Sequence, residues 1–257
     1  MPIEAKDLTA AFSRLIDLTS ALKFSRHDPH QLYAVCLYAR MLELGAGALS
    51  LLRSGVPAGI PVLVRTLLEA YADLRCLLTS RSHLETLVAN NLKERVRVLK
   101  AALRDRDPNP ILQAIASYPD SRVVLSDFQR QLAALKEKGS LPLRAEQTFQ
   151  RAGLTHEYEA IYWSLCLDSH NNLSALEKQH LRSRAIDGDL EVVMLQRSDL
   201  APYAPSIDLL LSGCINAHER LREFLGAPVD QAFLDVVHLF REVRRALPEP
   251  DSERKAP

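Results

Sequence analysis

The sequence predicts an all-α fold: a bundle of about eight to ten helices in one domain, with one small β-hairpin near residues 183–195. Three observations lead there. Apolar residues recur at three- and four-residue spacings along most of the chain. Gly-, Pro- and Asp-rich breakers cut that pattern into pieces of helical length. In LRSRAIDGDLEVVML alone the pattern changes, where Asp187-Gly188 lies between two segments able to pair.

Leu8, Phe12, Leu15, Leu18 and Leu22 mark one face of a first helix, which ends before FSRHDPH. A second helix is expected over residues 31–52, with Leu32, Val35, Cys36, Ala39 and Leu42 in register. SGVPAGIP connects it tightly to a third over 59–79, and a fourth runs over 84–103. Short connections make these antiparallel neighbours. After DRDPNP the pattern predicts helices over 111–117, 121–138, 145–151 and 157–176, with Gly153 ending the third of these. Two more come after the hairpin, over 205–225 and 230–247. Residues 1–247 are read as a single domain, and the tail PEPDSERKAP, with no apolar anchor, as disordered.

Composition narrows the class. A chain of 257 residues can bury enough surface for a core without metals or disulfides. Lys plus Arg equals Asp plus Glu at 32 each, so bulk charge directs the chain toward neither nucleic acid nor an anionic membrane. The four cysteines, Cys36, Cys76, Cys166 and Cys214, lie far apart without a CxxC pair, as expected of reduced thiols in a cytoplasmic protein. The start MPIEAKDLTAAF lacks a basic, then apolar, leader, and no uninterrupted apolar window of ~20 residues predicts a membrane span. Arg outnumbers Lys 24 to 8, a bias expected of a GC-rich bacterial genome.

The most informative segment is LVRTLLEAYADLRCLLTS, residues 63–80. Arg65, Thr66, Glu69 and Asp73 share one polar wedge of an otherwise apolar helix, which places it centrally in the bundle. Arg65 and Glu69, four apart, can meet, but Arg before Glu is the weaker order for an isolated helix. Three readings are open: a solvated ion pair, a buried network joined to another helix, or a ligand or catalytic site. YWSLCLDSHNN offers the partner. Tyr162, Cys166 and His170 recur at four-residue steps beside Trp163, and a half-buried His170 imidazole needs a hydrogen-bond partner.

These two segments resemble an uncharacterised bacterial family of helical proteins, domain of unknown function 5677. The RxLxE helix is matched by Arg65, Leu67 and Glu69, and a downstream Tyr-x-x-Leu-Ser-x-x-x-His segment by Tyr162, Leu165 and His170. Cys166 stands where the family more often has Ser, exchanging a hydroxyl for a thiol. The resemblance covers about residues 30–226; it implies an all-helical fold and the pairing of the two motifs, and no established activity.

Other chemistry finds little support. Metal-independent helical ribonucleases of the HEPN type use an Arg and a His four to six residues apart. Arg151 and His156 have that spacing across Gly153, but with 24 Arg and 8 His it arises by chance. Glu177-x-x-His180 and Asp235-x-x-His238 fall short of a di-iron ligand set, so no metal or cofactor is expected. HExxH, GxSxG, a P-loop and GxGxxG are absent. His27 and His30, in HDPH, read as a surface turn. KERVRVLKAALRDR spreads its cations around a helix and reads as a solvated face. The expectation is a cytoplasmic, non-catalytic module binding a protein or small ligand around Arg65, Glu69, Tyr162, Cys166 and His170, and able to self-associate. The alternatives are a phosphoester enzyme using Arg65 and His170, and a purely structural cluster.

Overall fold

The computed structural model describes residues 5–104, 109–169, 172–183, 189–194 and 201–247. The fold is all-α. Twelve helices run among the described residues: α1 Ala5–Ser20, α2 Pro29–Arg53, α3 Ile60–Thr79, α4 His83–Ala102, α5 Pro110–Ala116, α6 Ser121–Glu137, α7 Ala145–Arg151, α8 Thr155–Glu157, α9 Trp163–Ser169, α10 Leu173–His180, α11 Ala204–Phe224 and α12 Gln231–Arg245. A π-helical segment, Tyr158–Tyr162, joins α8 to α9. Two three-residue strands, Leu181–Ser183 and Leu190–Val192, pair antiparallel with Leu181 opposite Val192. The Asp187-Gly188 turn expected between them lies outside the described residues, as does the 248–257 tail.

The chain divides into two compact units, Met1–Leu78 with Phe149–Pro257, and Thr79–Thr148. In the first, contacts between side chains fix the helix directions. Phe12 lies against Gly45 and Thr19 against Tyr38, so α1 and α2 run antiparallel. A Cβ on Gly45 would lie 2.4 Å from Phe12 Cζ, so this close approach requires glycine. Gly47 faces Leu63 and His30 faces Leu77, which makes α3 antiparallel to α2. Tyr38 meets His218 and His30 meets Phe224, which sets α11 antiparallel to α2 as well. It follows that α3 and α11 run parallel, with Gly213 beside Leu67 midway along both. Asp208–Arg244 and His218–Phe233 contacts return α12 antiparallel to α11.

By length and composition α2 could cross a membrane. Here its buried residues, among them Ala34, Tyr38, Met41 and Leu42, belong to the core, and it packs against α1 and α11. Its start differs from the expected loop. Asp28 caps the helix by accepting from His30 N–H at 3.1 Å and Pro29 takes the first turn, so His30 is helical and 5 % exposed.

The second unit is built from α4, α5 and α6. Ala89 and Leu92 of α4 pack with Leu132 of α6, flanked by Phe128 and Leu135. Ser140 Oγ donates to Glu85 at 2.5 Å and the Arg95 guanidinium lies 5.4 Å from the Phe128 ring, fixing α4 and α6 antiparallel.

The helix expected over 157–176 is not continuous. Its first turns adopt π geometry, and a new helix begins at Leu173 because Asn172 caps it, its side chain accepting from Ser174 N–H at 3.0 Å.

Candidate functional site

The polar wedge of α3 meets Tyr162. The Tyr162 hydroxyl accepts from Arg65 Nε at 3.3 Å and Nη2 at 3.1 Å, and donates to Glu69 Oε1 at 2.5 Å. Arg65 Nη2 also stands 3.3 Å from Glu69 Oε1, closing a triangle of three side chains. Tyr162 is 5 % exposed. The Arg65 and Glu69 side chains keep 24 % and 38 % of their surface in solvent. This is a half-buried network with a wet rim, between the solvated and the buried readings of the sequence.

Its electrostatics arise from that placement. Burial and the hydrogen bond to Glu69 push the Tyr162 phenol well above its usual pKa, with Arg65 opposing. Burial works against the Arg65 charge, but the bond to Tyr162 and the fields of Tyr162, Glu69 and Cys166 outweigh it and hold the guanidinium protonated. Tyr162 is thus held as a neutral hydroxyl that connects Arg65 to Glu69.

Local sequence delivers Tyr162 to this position. Gly153, at φ 68°, terminates α7 in the left-handed region where a side chain would be strained, and Leu154 N–H returns to Phe149 O at 2.8 Å. The turn clusters three aromatic rings: Tyr158 stacks on Tyr162 at 5.1 Å, and Phe149 meets both at a tilt, Tyr162 at 5.0 Å and Tyr158 at 5.5 Å. Tyr162 closes the π segment, a geometry that recurs at functional positions in helices. Trp163, next in sequence, is 62 % exposed. Cys166, one turn on, is half-buried and within the electrostatic reach of Arg65. His170 lies outside the described residues.

Beside the triad, α3 and α11 border a cleft of about 460 Å³, within the ~300–1,000 Å³ typical of small-molecule sites. Phe149, 1 % exposed, is shared between them: its ring meets Tyr162 at a 51° tilt and lines the cleft. Leu68, Tyr71 and Arg75 line it from α3, and Leu209, Gly213, Asn216, Glu219, Arg220 and Glu223 from α11.

A family of unknown function (DUF5677) matches residues 31–189. The chain belongs to this family. The match ends short of residue 226, the far limit of the resemblance read from the motifs. No curated protein and no solved structure matches the chain.

Elsewhere, this DUF5677 chain buries polar groups that the sequence did not single out. Tyr38, fully buried, has its hydroxyl 3.1 Å from His218 Nδ1 and 3.5 Å from Thr19 Oγ1. Burial, with Arg222 adding to it and Asp230 opposing, lowers the His218 imidazole to about 4. Burial raises the neighbouring Cys214 thiol to about 12. Arg222, 6 % exposed, donates to Pro228 O and lies over Phe233 at 4.7 Å. His30 Nε2 bonds Leu77 O, and its Nδ1 has no partner among the described residues. The Asp-Pro start signal at residues 28–29 is the clue that would have placed His30 in a helix.

The other sequence candidates are scattered. His180 Nδ1 donates to Val193 O at 3.1 Å, Asp235 accepts from Gln231 at 2.8 Å and His238 pairs with Glu242 at 3.7 Å. Among the described residues no group of three or more His, Cys, Asp or Glu is placed to hold a metal ion.

Proposed function

We propose that this chain is a cytoplasmic, non-catalytic helical binding module, and that its ligand is a small molecule seated in the cleft between α3 and α11. The observation that carries the reading is the shared Phe149 ring, which joins a cleft of ligand size to the Arg65–Tyr162–Glu69 network. The network holds one wall in a fixed geometry, so that little ordering is left to occur on binding. A non-catalytic role accords with its chemistry. Arg65 commits Nε and Nη2 to Tyr162, which weighs against its use on a phosphate, and the Tyr162 proton is held too firmly for general acid–base work.

A thermal-shift screen of the full chain against small amphipathic compounds tests this. A ligand at ~100 times its Kd stabilises by about 2.7 kcal/mol, and Asn216→Trp, at an exposed position lining the cleft, is expected to abolish the shift. Stabilisation that survives Asn216→Trp would place the ligand elsewhere and overturn the reading.

A further inference from the structure

Helix α2 is apolar enough to cross a membrane, yet only 39 % of its apolar stretch is buried inside the protein. The unburied part forms one continuous face. Leu32, Cys36, Ala39, Glu43, Ala46 and Ser50 recur at alternating steps of four and three residues, the seam spacing of two packed helices. All but the half-buried Leu32 are exposed, and Tyr33 and Arg40, along the edge of the seam, are exposed as well. The contacts to α1 and α11 leave from other sides of the helix, through Gly45 and Tyr38.

Two charges decide what covers this face. Between His30 and Arg53, α2 carries two charged residues, Arg40 and Glu43, on either side of its middle residue, Met41. They pair with each other at 3.5 Å, with 56 % and 71 % of their side chains in solvent. A bilayer would hold both at its centre, where a charge is costliest. A parallel second copy would set Arg40 against Arg40. An antiparallel copy with its two-fold axis at Met41 brings Arg40 of each copy beside Glu43 of the other, in a cluster of two cations and two anions. The same axis overlaps the two helices along their full length and sets Leu32 opposite Ser50 and Cys36 opposite Ala46. Charge matching and apolar matching coincide in one register.

We infer that the exposed face of α2 is a self-association surface, occupied by a second copy of this chain docked antiparallel about Met41. This is independent of the ligand-binding reading. Its 25 residues make α2 about 37 Å long and ~10 Å across. The face therefore offers on the order of 400 Å² per copy, about half of a standard interface, so the dimer is reversible and forms in the micromolar range.

Sedimentation of the full chain from about 1 to 100 µM is expected to show a monomer–dimer equilibrium. Arg40→Glu places four carboxylates at the axis and is expected to weaken association about tenfold or more, whereas the exchange Arg40→Glu/Glu43→Arg restores it. Both positions are exposed, and melting temperatures check that the fold is kept. Ala46→Cys reads the register. On oxidation its thiol is expected to join Cys36 of the second copy in a covalent dimer. Ala46→Cys/Cys36→Ala, whose two identical thiols lie ~15 Å apart across the axis, is expected to give none. A chain that stays monomeric, association indifferent to Arg40→Glu or not restored by the exchange, or a covalent dimer that forms without Cys36 overturns the inference. A monomer that cosediments with phosphatidylcholine vesicles overturns it in favour of a membrane.

Discussion

Tyr162 takes its role from saturation: its one hydroxyl accepts two N–H groups and donates to one carboxylate. Tyr162→Phe keeps the ring contacts with Phe149 and Tyr158 and removes only those bonds. Arg65 and Glu69 would stay paired and reach water at their exposed rim, which limits the cost. The expected loss is ~1–2 kcal/mol in urea unfolding; a midpoint unchanged within error would mean that the hydroxyl contributes nothing to stability. Arg65 and Glu69 were legible in the sequence because four-residue spacing on an apolar helix is a geometric statement. The sequence also offered Tyr162, as part of the segment able to meet them. It could not show how wet the network is, since that depends on how deeply two distant segments seat against one another. Tyr38 and His218 were illegible for a related reason. They lie 180 residues apart, and each has the appearance of an ordinary position on its own helix.

At the scale of elements, helix existence was the readable quantity and helix continuity was not. Periodicity found α2, α3, α4, α6, α11 and α12, whose apolar faces are long. The break between α9 and α10 turns on Asn172, one side chain capturing one N–H, which a periodic count averages away. Gly45 is likewise a single-residue decision, since it sets how closely α1 approaches α2. Gly45→Ala would drive a methyl into Phe12, which is 2 % exposed and has little room to retreat. A loss of ~1–3 kcal/mol is expected from such overpacking. Phe12→Leu added to it should recover part of that loss, and a double variant no more stable than Gly45→Ala would contradict the contact.

At the scale of the molecule, uniform helical periodicity conceals that the chain leaves one compact unit at Thr79 and re-enters it at Phe149. Apolar spacing in α4 and α6 has the same form whether those helices join the main core or, as here, build their own around Leu92 and Leu132. The separation bears on acid stability, because His218, the core histidine with the lowered pKa, belongs to the larger unit. Unfolded, it takes up a proton near its ordinary pKa of ~6.5; folded, it does so only near 4. Its contribution is therefore complete above ~6.5 and is lost as pH falls toward 4, by at most roughly 3 kcal/mol. Urea midpoints at pH 7 and pH 4.5 should diverge more for the native chain than for His218→Gln. An equal acid loss in the two would assign it to other groups.

The π segment that ends at Tyr162 also sets angular phase. A turn bonded from i to i+5 holds one residue more than the α-helical path over the same rise, so Tyr158–Tyr162 works as a phase adjuster between α8 and α9. Deleting any one of its five residues and restoring α geometry would rotate everything downstream by about 100° relative to Phe149. Another side chain would then arrive opposite Arg65. At this point in the chain, the number of residues between the α7 turn and Tyr162 is as much a part of the site as the identity of any of them.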